Sequence, residues 1–206
     1  ARHMREHILR NDFYEYCPEI CPCLNGKTDS FQRFARNKKG FNKNEQLIYK
    51  EIKNSRTVLK SRPYEMTLAM DHSCSLRCIM CSSIQKEAGY VISEGIYKLT
   101  GQILDTLGLI FFTGGEPFYS ERVARFIGHF KGKKPALKWG FITNGLNINM
   151  LLLKKLKIDH ICVSIDAVTE DVYEKIRIGS NFRTVIGNLK ELLNYRDNNY
   201  YFPIKI

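Results

Sequence analysis

The 206-residue chain has no apolar run near the ~20 residues that cross a bilayer, which excludes an ordinary membrane-spanning helix. No charged-then-apolar leader with a small-residue cleavage site stands at its start. It has no internal repeat and no low-complexity tract, which excludes solenoids and fibrous classes. Acidic residues are in deficit, 21 against 32 Lys and Arg, giving a formal charge of +11. The basic residues are spread in small groups: Arg33, Arg36, Lys38 and Lys39, then Lys131, Lys133 and Lys134, then Lys154, Lys155 and Lys157. Spread in this way they read first as a solvated surface, with a nucleic-acid or anionic partner as the second reading.

A disulfide framework is also excluded. The seven cysteines are odd in number and clustered, as Cys17, Cys21 and Cys23, then Cys74, Cys78 and Cys81, with Cys162 alone. Short fixed spacings read as metal ligation in a reducing compartment, which places the protein in the cytoplasm. Cys162 lies inside an apolar run and reads as a small buried hydrophobe.

Composition changes along the chain. Residues 1–63 are rich in Lys, Arg and Asn, with two short helical patterns at Met4–Phe13 and Asn44–Ile52 around a loop-rich stretch. From residue 64 a rhythm begins. Apolar runs at 64–70, 109–113, 138–142, 159–165 and 202–206 alternate with helical stripes. One stripe after Ser93 carries Ile96, Leu99, Ile103, Leu104 and Leu107; another carries Val123, Phe126, Ile127 and Phe130. A short run at Met150–Leu156 and a stripe from Val185 to Leu193 complete the set. Such alternation means βαβ units, hence an α/β fold with a parallel sheet. Runs such as Leu109–Phe112, apolar throughout, suit strands covered on both faces. The expected architecture is a partial (β/α) TIM-like barrel over residues 64–206, incomplete at its fifth strand, preceded by a small irregular and helical segment over 1–63.

Ligands in parallel α/β folds sit at the carboxyl ends of strands. After the first strand comes Cys74-Ser-Leu-Arg-Cys78-Ile-Met-Cys81. A closed metal site wants four protein ligands, whereas three thiols leave one position open. A zinc site completed by His72 or a distant cysteine is the competing reading. After the second strand comes Thr113-Gly114-Gly115-Glu116-Pro117, where two glycines let backbone approach a ligand and Glu116 offers a carboxylate to an amine. After the third comes Thr143-Asn144-Gly145, otherwise a plain turn. After the fourth, Ser164 and Asp166 fall on the same side by alternation, suited to a ribose or an amino-acid head group, with helix capping the alternative for Asp166. Arg177 follows, able to fork onto a carboxylate or to form a surface ion pair.

In that order, these motifs resemble the radical SAM superfamily, and the resemblance covers residues 64–206. It implies that Cys74, Cys78 and Cys81 ligate three irons of a [4Fe–4S] cluster, with S-adenosylmethionine chelating the fourth. It implies that Gly114, Gly115 and Glu116 receive the methionyl amine, and that Ser164 and Arg177 hold the carboxylate or ribose with Asn144 and Asp166 nearby. Met80 would line the adenine pocket, where many members carry an aromatic. The implied activity is reductive cleavage of S-adenosylmethionine to a 5′-deoxyadenosyl radical, fed by a one-electron reductant, that abstracts hydrogen from a substrate. No catalytic acid, base or second hydrogen donor stands out.

Cys17-Pro-Glu-Ile-Cys21-Pro-Cys23 resembles the cysteine motif of the SPASM type, associated with auxiliary iron–sulfur clusters and peptide modification, although here it precedes the barrel. It implies an auxiliary cluster, against a zinc knuckle or a structural loop. The substrate expected on this basis is a peptide or protein side chain; RNA or a small metabolite is the alternative suggested by the charge. A non-catalytic iron–sulfur or zinc module is the reading of another class.

Overall fold

The computed structural model of the chain describes residues 43–81, 91–199 and 202–206. Cys17, Cys21, Cys23 and the pattern at Met4–Phe13 lie outside the described residues. The chain divides between Tyr64 and Glu65 into two units. In the first, helix α1 (Lys43–Lys53) is clasped by the chain that follows it. Asn44 Nδ2 donates to the Arg62 carbonyl and Asn44 Oδ1 accepts from the Arg62 N–H, both at 2.9 Å. Glu51 is buried on that side, and its carboxylate accepts the Lys60 N–H at 2.6 Å.

The second unit is built on five strands: β1 (Glu65–Leu68), β2 (Leu109–Phe112), β3 (Lys138–Thr143), β4 (Ile158–Val163) and β5 (Ile204–Lys205). They lie in the order β1-β2-β3-β4-β5, every neighbouring pair parallel. Sequential order without reversal is the order of a barrel wall; a doubly wound sheet would turn back at a switch point. Helices α2 (Gly95–Ile103), α3 (Glu121–Phe130), α4 (Met150–Leu153), α5 (Glu170–Ile176) and α6 (Phe182–Asn198) fill the connections. Helix α5 has no strong apolar stripe in the sequence; it forms as a short amphipathic turn with Glu170 and Asp171 at its positive end and Lys175 in its last turn. Four of the five strands are shorter than the apolar runs that foreshadow them, because those runs extend into the flanking loops; β3 is one residue longer than its run.

The two faces of the sheet differ. Ile110, Phe112, Trp139, Phe141, Ile161 and Val163 pack under the helices with essentially no exposure. Phe112 stacks on Trp139 at 6.0 Å and on Phe141 at 5.7 Å between ring centres. The alternate residues Phe111, Ile142, His160 and Cys162 are only partly covered, Ile142 being 37% exposed. The expectation of strands covered on both faces is corrected to one packed and one open face. Cys162 is likewise corrected, from a buried hydrophobe to a half-buried thiol on the open face. A register shift between Trp139 and Gly140 adds one residue to β4, so Gly140 pairs with His160 and Ile142 with Cys162.

Lys134, one of the basic residues singled out in the sequence, and Lys138 take structural duties in this unit. Lys134 Nζ donates to the carbonyls of Leu104, Asp105 and Leu107, at 3.1, 2.8 and 2.6 Å, and so closes the end of the α2 segment. Lys138 Nζ donates to Asp159 at 2.9 Å.

Gly140 has a steric role. The ring of Phe111 lies across it, stacked on His160 at 4.7 Å, and a Cβ on residue 140 would overlap that ring. Gly140→Ala should therefore cost about 1–3 kcal/mol of stability, the usual range for overpacking, read as a lowered urea midpoint with an unchanged slope.

Candidate active site

The carboxyl ends of β1 to β4 converge on the loop that carries the three thiols. Asp71, the residue after the first apolar run, anchors its start. Its carboxylate accepts from Ser73 N–H at 3.0 Å and from Ser120 Oγ at 2.7 Å. Ser120 Oγ in turn accepts the Val123 N–H and caps α3, so one buried hydroxyl links a helix start to the cysteine loop. The Asp-x-Ser spacing is a local turn signal; its partner Ser120, 49 residues on, is not legible from spacing.

The turn after β2 lies directly against this loop. Gly114 and Gly115 both have positive φ, 74° and 54°. A Cβ at 114 would stand 2.7 Å from Ala69 Cβ, and one at 115 would stand 2.5 Å from the Ser73 carbonyl oxygen. These glycines thus permit backbone-to-backbone approach between the two loops, sealed by the Glu116 N–H on the Ser73 carbonyl at 2.7 Å. Glu116 itself is 1% exposed. Its carboxylate accepts from Thr143 Oγ1 at 2.8 Å, Asn144 N–H at 2.7 Å and Phe118 N–H at 3.1 Å. Burial pushes its pKa up, and these three donors pull against that rise. The side chain expected to meet an amine thus already accepts three hydrogen bonds from within the fold. Phe118, next along, stacks on Phe141 at 4.8 Å and ties the turn to the core.

The opposite flank is held by the α5–α6 junction. The Arg77 and Ile79 N–H groups donate to the Ile178 and Ile176 carbonyls at 2.8 and 3.0 Å, and Gly179, with φ 89°, lets that junction pass close to Ser75. Asn147 Nδ2 adds a bond to Ser75 Oγ at 3.2 Å. The thiol loop is therefore gripped on both sides by backbone pairing, although it has no regular structure of its own.

Within that grip the predicted residues fall as follows. Cys74 is exposed, and Cys78 and Cys81 are half-buried. The Cys81 N–H donates to the Cys78 carbonyl at 3.0 Å, a tight turn that leaves Ile79 and Met80 exposed, Met80 by 53%. Desolvation raises the Cys74 and Cys78 thiol pKa values, and the neighbouring cysteines raise them further. Asn144 Nδ2 reaches Cys74 Sγ at 3.7 Å, and Arg177 Nη1 reaches Cys78 Sγ at 3.9 Å. Arg177 Nε donates to Asp166 Oδ2 at 2.5 Å, an ion pair whose Arg side chain is only 11% exposed. The helix-cap alternative for Asp166 is replaced by this pair, since Thr169 is the residue at the start of α5. Ser164 lies just past β4, held by its N–H on the Thr143 carbonyl at 2.9 Å. Direct contacts thus link Asn144 to Cys74, and Asp166 through Arg177 to Cys78, and Ser164 follows from the same strand end as Asp166.

Three thiols from one loop, mutually close enough to oppose each other's ionisation, are a donor set for a cluster in which each cysteine holds its own iron. Among the described residues no three His, Cys, Asp or Glu side chains converge on a single ion position. A cube of irons does not require such convergence, whereas one zinc ion does.

Two outcomes test the frame. Gly115→Ala should lower the melting temperature, since it adds a strained φ to a 2.5 Å overlap; a loss of about 2 kcal/mol or more is expected. Glu116→Gln tests the buried acid. A carboxyl raised above its ordinary 4.5 destabilises the fold progressively as pH climbs past that value, because the unfolded chain ionises first. The difference in urea midpoint between wild type and Glu116→Gln should therefore move in favour of the variant as pH rises above 4.5.

Comparison with known proteins agrees with this arrangement. The profile described as Radical SAM superfamily matches residues 71–204. Molybdenum cofactor biosynthesis protein 1 of Drosophila melanogaster is 26% identical over 141 residues, covering 64% of this chain and 25% of that protein. A probable GTP 3′,8-cyclase of Saccharolobus solfataricus is 26% identical over 144 residues, covering 65% of this chain and 45% of the relative. The chain thus spans less than half the length of these relatives. Among solved structures, Streptococcus suis SuiB bound to S-adenosylmethionine superposes with a TM-score of 0.57 at 16% identity, over 87% of this chain and 43% of that one. SuiB bound to its precursor peptide SuiA superposes with a TM-score of 0.56 at 16% identity, over 98% of this chain and 44% of that one. With the match running from Asp71, at the start of the cysteine loop, to the start of β5, over every strand-end loop described above, the chain belongs to the radical SAM superfamily.

Proposed function

We propose that the carboxyl edge of the sheet binds a [4Fe–4S] cluster on Cys74, Cys78 and Cys81, with S-adenosylmethionine on its open position. The observation that carries this reading is the loop itself: three thiols held by backbone pairing on one side to Ser73–Glu116 and on the other to Ile176–Ile178. When bound, these groups supply a one-electron reductive cleavage of the sulfonium and an adenosyl radical for hydrogen abstraction. The chain's part is to orient and to shield. The turn at Gly114–Glu116 would receive the methionyl amine through its backbone, because the Glu116 carboxylate is engaged inside. Ser164, with Asn144, Asp166 and Arg177 around it, is what this edge offers to the carboxylate and ribose. Exposed Met80 supplies an apolar surface for the adenine.

For the substrate, the reading that leads here is a small anionic metabolite. It is supported by the relatives named as GTP 3′,8-cyclases and by the charge of +11. A peptide substrate is the second reading, supported by the Cys17, Cys21 and Cys23 segment and its likeness to auxiliary-cluster motifs. RNA shares the charge argument with the metabolite.

Anaerobic reconstitution with iron and sulfide tests the core of the proposal. The full chain should bind iron, show a cluster spectrum and release 5′-deoxyadenosine under dithionite, and Cys78→Ala should abolish that release. Zinc as the bound metal, with no cleavage of S-adenosylmethionine, would refute it. Added GTP should raise the rate of 5′-deoxyadenosine formation if the metabolite reading holds, whereas stimulation by peptides alone would favour the second.

A further inference from the structure

Asn144 comes from the loop after β3 and Arg177 from the end of α5, yet each directs an N–H group at a different thiol. Asn144 Nδ2 stands 3.7 Å from Cys74 Sγ, and Arg177 Nη1 stands 3.9 Å from Cys78 Sγ. Cys74 Sγ also accepts the Leu76 N–H at 3.4 Å. Neither side-chain donor is free to swing. Asn144 Oδ1 accepts the Leu146 N–H at 2.9 Å, and the Asn144 N–H is bound to Glu116 at 2.7 Å. Arg177 Nε is bound to Asp166 at 2.5 Å, and its backbone N–H to the Tyr173 carbonyl at 2.8 Å. These second bonds fix which nitrogen faces sulfur.

We propose that Asn144 and Arg177 set the reduction potential of the cluster by donating to the sulfurs of Cys74 and Cys78, with Asp166 moderating Arg177. The inference rests on the cluster assignment made above. Its physical basis is charge. Taking up one electron makes the cluster and its thiolates more negative, so N–H dipoles and a guanidinium aimed at sulfur stabilise the reduced form and raise the potential. At 3.9 Å in a partly buried setting the guanidinium charge is weakly screened, so Arg177 has the larger leverage and Asn144 the smaller. Asp166 places a negative charge on the far side of the same guanidinium and offsets part of its field.

The arrangement makes a prediction with two signs. Asn144→Ala and Arg177→Gln each remove a donor and should shift the midpoint to more negative values. Asp166→Asn leaves the guanidinium uncompensated and should shift it to more positive values. A roughly tenfold change in the reduced-to-oxidised ratio, about 59 mV for one electron, is the scale expected of Arg177→Gln. Asn147→Ala is the control, because Asn147 bonds the same loop through Ser75 Oγ and reaches no sulfur among the described residues; it should leave the midpoint in place.

The measurement is an anaerobic dithionite titration of the reconstituted full chain followed by electron paramagnetic resonance, without S-adenosylmethionine. Lost cofactor binding then cannot move the result. The relevant cluster is identified beforehand as the signal that changes on adding S-adenosylmethionine and disappears in Cys78→Ala. If Asn144→Ala holds no cluster, Asn144→Asp, which keeps the size and the acceptor for Leu146, replaces the donor with a carboxylate and should shift further negative. Midpoints unmoved in Arg177→Gln and in the Asn144 variant, with iron content intact, would overturn the inference and leave the cluster assignment standing. Absence of any cluster dependent on Cys78 would instead overturn the assignment itself.

Discussion

A buried carboxylate holds the carboxyl edge of the sheet together. Glu116 belongs to the turn after β2, but two of its three donors, Thr143 Oγ1 and the Asn144 N–H, belong to the end of β3. Its own N–H pairs with Ser73 on the loop after β1. Three strand ends are thereby fixed to one residue, in a place where water cannot substitute for a lost partner. A buried acid is costly unless its acceptor capacity is met, so the surrounding donors are as constrained as the acid. The positive-φ glycines before it follow from the same constraint: any side chain there would hold the two loops apart and break the pairing through Ser73.

The cysteine loop derives its shape from these neighbours. With Asp71 anchoring its first residue and the Ile176–Ile178 backbone pairing along its far side, the loop is positioned by long-range hydrogen bonds in place of a helix or strand. That is a sensible way to present three thiols, since regular structure would space their side chains by its own period. The donors at Asn144 and Arg177 enter from loops that are themselves locked, so the environment of Cys74 and Cys78 is set by the sheet as a whole.

Much of this was legible in the sequence because it is periodic or local. The stripe from Val123 to Phe130 buries the four residues expected of it, and the strand-end motifs fall in spatial order because parallel topology maps sequence order onto one edge. What was not legible depends on partners far apart in the chain. The pairing of Asp71 with Ser120, the inward placement of the Glu116 carboxylate and the contact of Arg177 with a sulfur 99 residues away carry no local signature. Helix α5 was missed because its short run lacks a repeating apolar face. The open face was misread because an apolar run looks the same whether its alternate residues meet a helix or a cavity: Phe111 and Ile142 are as hydrophobic as Phe112 and Phe141.

The register shift at the start of β4 has a consequence for how this surface can change over evolutionary time. By inserting one residue opposite Trp139 and Gly140, it hands His160 and Cys162 to the open face and Ile161 and Val163 to the packed one. Exposure and folding are therefore written in alternating letters of the same strand. Point changes among the first set can diversify what the face meets while the second set keeps the helices seated. Loss of the extra residue, Asp159, would straighten the strand and leave His160 opposite Gly140; a slip of the pairing by one residue would instead exchange the two alphabets, turning Ile161 and Val163 outward and Cys162 toward the core.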